Sequence, residues 1–182
     1  FKHTASAQAV TGIVLQSLAN ISDKFILSGI PLADGGEGTA DILSKFDKSD
    51  KISLKVHDPL HRIIKASYYF SVNRIAYIDL ASASGLELLK ETERNPLQAS
   101  TFGTGELIKN AVEKGANKII IACGGSATND AGIGALTAMG FEFYDHSGIK
   151  IIPAGENLIH ITDCQFPKGA EYSKVHFTIL SD

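Results

Sequence analysis

The stretch IIIACGGSATNDAGIG, Ile119 to Gly134, runs three isoleucines, an alanine and a cysteine into a pair of glycines. An apolar run of this length, closed by glycines, reads as a buried strand. The small residues from Ala131 to Met139 read as a helix, with Ser126 to Asp130 as the polar connection. Strand, glycine loop and helix in succession make the unit of an α/β layer.

Working outward, the same rhythm recurs. Upstream of Ile119, TFGTGELIKNAVEKGANK reads as a helix with Leu107, Ile108, Ala111 and Val112 on one face, and Gly115 stands where a C-cap glycine belongs. At the start of the chain, Thr4 or Ser6 caps a helix to about Asn20 whose Ala7, Val10, Val14 and Leu18 share a face. KFILSGIPL is expected to be a short apolar strand, and ADGGEGTADILSKF a glycine loop followed by a helix with Ile42, Leu43 and Phe46 inward. Between these α/β stretches, KISLKVHD, RIIKASYYFS and RIAYIDLA follow one another too closely for intervening helices, so antiparallel pairing is expected. The change of pattern suggests a domain boundary near residues 48–60. FEFYDHSGIKIIP reads as a hairpin around Asp145–Gly148.

The chain has 182 residues, 44% of them hydrophobic, and can bury a sizeable core. Its 17 basic and 20 acidic residues give a net charge of −3 with no block of either sign. That excludes an electrostatic case for nucleic acid or an anionic membrane surface as partner. No apolar run is long enough to span a bilayer. The two cysteines have neither disulfide-framework nor metal-ligand spacing, which points to a reducing, cytoplasmic setting. The opening FKHTASAQAV has no initiator Met, and KVHFTILSD ends on an expected strand; the chain reads as a fragment lacking its first strand. Nothing in the sequence fixes an oligomeric state.

Three glycine-rich segments carry the candidate chemistry: residues 33–39, 101–107 and 123–132. Helix starts expose unpaired N–H groups and favour anions, and glycine lets a ligand approach the backbone. The expectation is that Gly35, Gly36, Glu37, Gly103, Thr104, Gly105, Gly124, Gly125, Ser126 and Asn129 bind phosphate or carboxylate groups. Neither a G-x-x-x-x-G-K-[ST] loop nor a G-x-G-x-x-G after a strand is present, and tight strand-to-helix turns would give the same glycines. Asp34 and Glu37 beside an anion loop fit a base or a Mg²⁺ contact; an Asx-turn and a helix-dipole role are the plain readings of the same pair. Asn129 and Asp130 could equally cap the next helix. Lys2 could be solvated or a point charge for a phosphoryl group. Arg62, after DPLH, reads as a surface or interdomain residue before a substrate clamp. His3, His57 and His61 lack metal spacing.

FK-x-x-x-SA, ADGGEGT, DPL-x-R, ASASGL, TFGTGELI and GGSATNDAG-x-G occur in that order and cover essentially the whole chain. This ordered set closely resembles the glycerate kinase family of the glycerate 2-kinase type. The departures are His3-Thr4 where the family often has Gly-Ser, and His61 where it has Gly. The resemblance implies two α/β domains, one Rossmann-like or flavodoxin-like and one with a mixed sheet, with the active site in the cleft between them. Residues 1–50 would belong to the first domain and 51–182 mainly to the second. It implies transfer of the ATP γ-phosphate to D-glycerate with Mg²⁺, giving 2-phosphoglycerate rather than 3-phosphoglycerate. Within that scheme Asp34 is expected as base or metal ligand and Lys2 as a phosphate contact. Arg62 and the glycine-loop residues would contact substrate or nucleotide, and Asp130 and Asp182 would meet metal. The competing readings are a sugar-phosphate isomerase or aldolase, and a non-catalytic anion-binding module.

Overall fold

Ser49–His57 (β1) and Ile63–Ser71 (β2) pair antiparallel from Ser49↔Ser71 to His57↔Ile63. The turn between them closes on Asp58, whose Oδ1 accepts the N–H groups of Leu60 and Arg62. His61 takes φ +59 there, the left-handed region where glycine is the unstrained residue. Ile75–Asp79 (β3) adds antiparallel to β2. Lys118–Ala122 (β4) then pairs parallel to β3, and His176–Leu180 (β7) parallel to β4. The sheet order is β1-β2-β3-β4-β7, so the fold is α/β with a mixed sheet. Glu142–Tyr144 (β5) and Asp163–Gln165 (β6) form a separate two-stranded sheet. The computed structural model describes residues 5–167 and 171–181.

The helices are Ala7–Ala19 (α1), Thr39–Ser44 (α2), Ala81–Ser84 (α3), Phe102–Glu113 (α4) and Ile133–Ala138 (α5). Neighbouring residues on a strand face opposite ways, and two tyrosines report which helix covers which face. The Tyr68 hydroxyl donates to Asn110 on α4, and the Tyr69 hydroxyl donates to Asp41 on α2. The sheet is therefore a middle layer with α4 and α2 on opposite sides. The core lies on the α4 side, where Val56, Tyr68, Ile78, Leu107 and Ile119 are fully buried. Helix α4 ends as its sequence predicts: the Gly115 N–H bonds to the Val112 carbonyl and the Ala116 N–H to the Ala111 carbonyl, with φ +89 at Gly115. Asp145 closes the expected hairpin turn, its Oδ1 accepting from Ser147 and Ile149.

Three expectations need correction. KFILSGIPL forms no strand: residues 25–34 carry no ladder pairing among the described residues, and Ile26, Ile30 and Leu32 are exposed. A strand needs a neighbour to take its N–H and C=O groups, and apolar composition alone does not supply one. On α2, Ile42 is buried and Leu43 half-buried, but Phe46 lies past the helix end and is 71% exposed. On α1, Ser6 caps the helix by accepting the Ala9 N–H, yet Val14 and Leu18 are exposed, and the segment at Gly29 packs against Thr11 and Leu15 instead. Among the described residues, no helix is long and apolar enough to cross a membrane.

Candidate functional site

Strands β3, β4 and β7 run parallel, so their carboxyl ends share one rim of the sheet. That rim is where α/β sheets place ligands, because the chain leaves each strand there into a loop. Three sequence motifs converge on it. The Gly124 N–H donates to the Gly35 carbonyl at 2.8 Å, joining residues 33–39 to the loop after β4. A Cβ at Gly124 would stand 2.5 Å from the Gly36 Cα, and one at Gly35 would stand 3.3 Å from the Leu180 carbonyl oxygen. From the third motif, ASASGL, Gly85 bridges Ser126, with the Leu86 N–H on the Gly125 carbonyl and the Ala127 N–H on the Ser84 carbonyl.

The helix starts around this rim are not bare. Asp79, the last residue of β3, accepts the Gly38 N–H at 2.9 Å and the Ala40 N–H at 2.8 Å, so the protein's own carboxylate fills the N-terminus of α2. Asp130 does the same for α5. Its Oδ2 accepts from the Thr101 N–H, the Thr101 hydroxyl and the Gly134 N–H, and its Oδ1 from the Gly132 N–H. These bonds correct the expectation of free amides at the start of α2, and at α5 they select the capping reading of Asp130 over the anion-binding one. They also assign Asp130 a clamping role: it is 1% exposed and its two oxygens hold four donors, which leaves little for the metal expected there.

The TFGTGEL segment is likewise closed. Gly103, Thr104 and Gly105 are buried. A Cβ at Gly103 would fall 1.8 Å from the His57 carbonyl oxygen, and one at Gly105 2.2 Å from that of Ala135. Thr104 shares a 2.7 Å hydroxyl contact with Ser84 and donates to the Leu80 carbonyl. These glycines serve close packing of α4 against β1 and α5, so the expected ligand wall does not extend to them.

Arg62 also turns inward on the protein. Its Nε donates to Asp58, Nη1 to Glu93 and Nη2 to the Leu88 carbonyl, tying residues 88–93 to the β1–β2 turn. Its bond to Asp58 raises its already high pKa. It fits the surface reading rather than a substrate clamp.

What stays open is smaller. Gly125, Ser126 and Asn129 are exposed on the loop after β4; Ser126 Oγ lies 2.8 Å from Thr128 Oγ1 and accepts the Thr128 N–H. On the other chain segment, Asp34 and Glu37 are exposed, and Asp34 Oδ1 accepts the Gly36 N–H in an Asx-turn. A cavity of about 390 Å³ opens between the loop and α4, lined by Leu80, Ile121, Cys123, Ser126, Asn129 and Ala135. Burial pushes the Cys123 thiol up. A second groove, about 640 Å³, runs between Asp34, Thr39, Phe46, Ile179 and Ser181. Lys2 and Asp182 lie outside the described residues.

Asp79 is the residue that sequence reading missed. Burial pushes its pKa up, opposed by the two backbone donors and reinforced by Glu37 and Asp41 nearby. The available signal was an acid ending an apolar strand, IAYID, immediately before the small residues ASAS.

Comparison with known proteins matches the profile of the glycerate kinase family to residues 1–182. A glycerate kinase of Bacillus cereus is 40% identical over 167 residues, covering 91% of this chain and 44% of that protein. A glycerate 2-kinase of Escherichia coli is 37% identical over 164 residues, covering 90% and 43%. A crystal structure from Salmonella typhimurium, provisionally assigned as glycerate kinase 2, superposes with a TM-score of 0.82 at 35% identity over 97% of this chain and 48% of that one. The chain thus spans less than half the length of these relatives.

Proposed function

We propose, from the premise that this chain belongs to the glycerate kinase family, that it supplies one wall of an enzyme transferring the ATP γ-phosphate to D-glycerate, giving 2-phosphoglycerate. The observation that carries the reading is the junction of two loops at the carboxyl ends of β3, β4 and β7: the Gly124 N–H on the Gly35 carbonyl brings the Asp34 loop against the Ser126–Asn129 loop. Phosphoryl transfer asks a protein chiefly to position groups and neutralise charge. The exposed Ser126 hydroxyl and Asn129 amide are donors suited to a carboxylate or phosphate. Asp34, with Oδ1 fixed by the Gly36 N–H, has Oδ2 left to accept the proton of the attacking hydroxyl. In this reading Lys2 is a phosphate contact, residues 1–50 belong to one α/β domain and 51–182 mainly to the other, and the site is the cleft between the two domains.

Among the described residues no cluster of three His, Cys, Asp or Glu could hold a metal ion. Mg²⁺ that arrives with the nucleotide keeps most of its water and needs only one or two carboxylates; the exposed Glu37 would hold it, leaving Asp34 as the base. When bound, the ion offsets charge on the transferring phosphoryl group. The enzyme works in the cytoplasm in this reading, where its two free cysteines stay reduced.

The test is phosphorus NMR on the intact natural protein that carries this sequence, with ATP, Mg²⁺ and D-glycerate. The expected result is the 2-phosphoglycerate resonance growing as ATP is consumed. Growth of 3-phosphoglycerate would overturn the regiochemistry. ATP left intact, with no nucleotide-dependent rise in melting temperature, would favour the isomerase or aldolase alternative.

A further inference from the structure

The carboxylate of Asp79 stands at the end of β3, beneath the start of α2. Its two bonds reach 41 and 39 residues along the chain, to the N–H groups of Gly38 and Ala40. They hold a turn in which Gly38 takes φ +88 and the Thr39 N–H bonds to the Gly36 carbonyl at 3.2 Å. One residue earlier, the Gly35 carbonyl takes the Gly124 N–H, and one residue before that Asp34 begins its own turn onto Gly36. A rigid strand end is thus tied through two bonds to the segment that carries Asp34 and joins Gly124. Local capping alone would not need this group, because a serine or asparagine caps a helix without placing a charge in a half-buried site. Here burial and the neighbouring acids Glu37 and Asp41 all oppose the charge, with Tyr69 also close by.

We propose that Asp79 is a positioning residue for the transfer reaction: it sets the 33–39 loop, and through it Asp34, against residues 124–129. This rests on the reading of the site as a glycerate-phosphorylating centre. Asp79 touches neither substrate in this scheme, and it acts only through the loop.

The experiment compares Asp79→Asn, Asp79→Glu and a control, Asp41→Asn, in the intact natural protein. Asp41 sits on the same helix but bonds to Gln8, Lys45 and Tyr69, away from the loop. Asp79→Asn is expected to lower kcat about a hundredfold with KM for both substrates within about threefold, the effect of displacing a reacting group by about 1 Å. Asp79→Glu restores kcat to within about tenfold of wild type, since a carboxylate again meets both amides. Asp41→Asn lowers the melting temperature while kcat stays within about twofold. If kcat of Asp79→Asn falls only in step with melting temperature, as the control does, the positioning role is overturned.

Amide exchange gives a readout without turnover. Asp79→Asn should speed exchange at Gly38 and Ala40 about a hundredfold, while Gly132 and Gly134, held by Asp130, keep their protection. Unchanged exchange at Gly38 and Ala40 overturns the loop-setting role whatever the reaction is. A wild type that turns over no glycerate but shows the exchange effect overturns the reading of the reaction and leaves Asp79 as the anchor of the loop.

Discussion

Residues 101–105 and residues 124–129 are both rich in glycine and both lie close to helix starts, and Asp130, which follows the second, accepts from Thr101 in the first. In the first, the missing side chains are filled by other backbone: the His57 carbonyl at Gly103 and the Ala135 carbonyl at Gly105. In the second, Gly124 is likewise filled by the Gly36 backbone, but Gly125 takes φ +75 with only the Ala81 Cβ near it, at 3.4 Å, and Ser126 and Asn129 are exposed. The same composition therefore does two jobs. Glycine reports that something comes close to the main chain; whether that something is protein or ligand is decided by elements far away in sequence.

The sharpest way to break this comparison is Gly103→Ala. With a backbone oxygen 1.8 Å from the new methyl, β1 or α4 must shift, and the expected cost is about 3 kcal/mol. Melting temperature should fall by about 6–12 °C in a protein of this size, read by calorimetry. A fall under about 2 °C would remove Gly103 from the packing class.

On the open side the expectation reverses. Asn129→Ala should leave the melting temperature within about 1 °C, as an exposed substitution does. It should lower kcat/KM about tenfold to a hundredfold, equal to about 1.4–2.7 kcal/mol of transition-state binding, read by coupled assay. Unchanged kinetics would make residues 124–129 a turn and nothing more.

The smallest effect lies behind the open side, on α2. Bonds from Lys45 and Tyr69 hold Asp41 below its ordinary value of 3.8. A depressed carboxylate adds stability above its unfolded pKa and loses it as pH falls through the folded one. Asp41→Asn should thus match wild type in strong acid and be less stable above about pH 4. With the side chain 38% exposed, the difference is held to about 0.5–1 kcal/mol by solvent screening, measured by urea melts across pH. A gap that persists in strong acid would assign the effect to packing instead of charge.

Periodicity and turn chemistry carried much of the fold in advance. The close succession of β1, β2 and β3 implied antiparallel pairing, and Gly115 marked the end of α4, because each depends on residues a few positions apart. KFILSGIPL misled because a strand is a property of a pair, and no local pattern announces a missing neighbour. Of the motifs read in the sequence, ADGGEGT, ASASGL and the loop after β4 meet at one rim, while TFGTGEL packs against β1 and α5. The local cap of α5 by Asp130 was among the readings the sequence allowed, but the filling of α2 by Asp79 and the bond from Thr101 to Asp130 span 29 to 41 residues. Bonds over such spans leave no periodic trace.

Gly124 lies so close to Gly36 that a methyl on it would stand 2.5 Å from the Gly36 Cα and must move the other segment's main chain. Substitutions in the two loops will therefore be epistatic, with double-mutant energies departing from the sum of the singles. Grafting one loop from a distant relative should fail alone and succeed as a matched exchange, so that the pair drifts through evolution as one heritable unit.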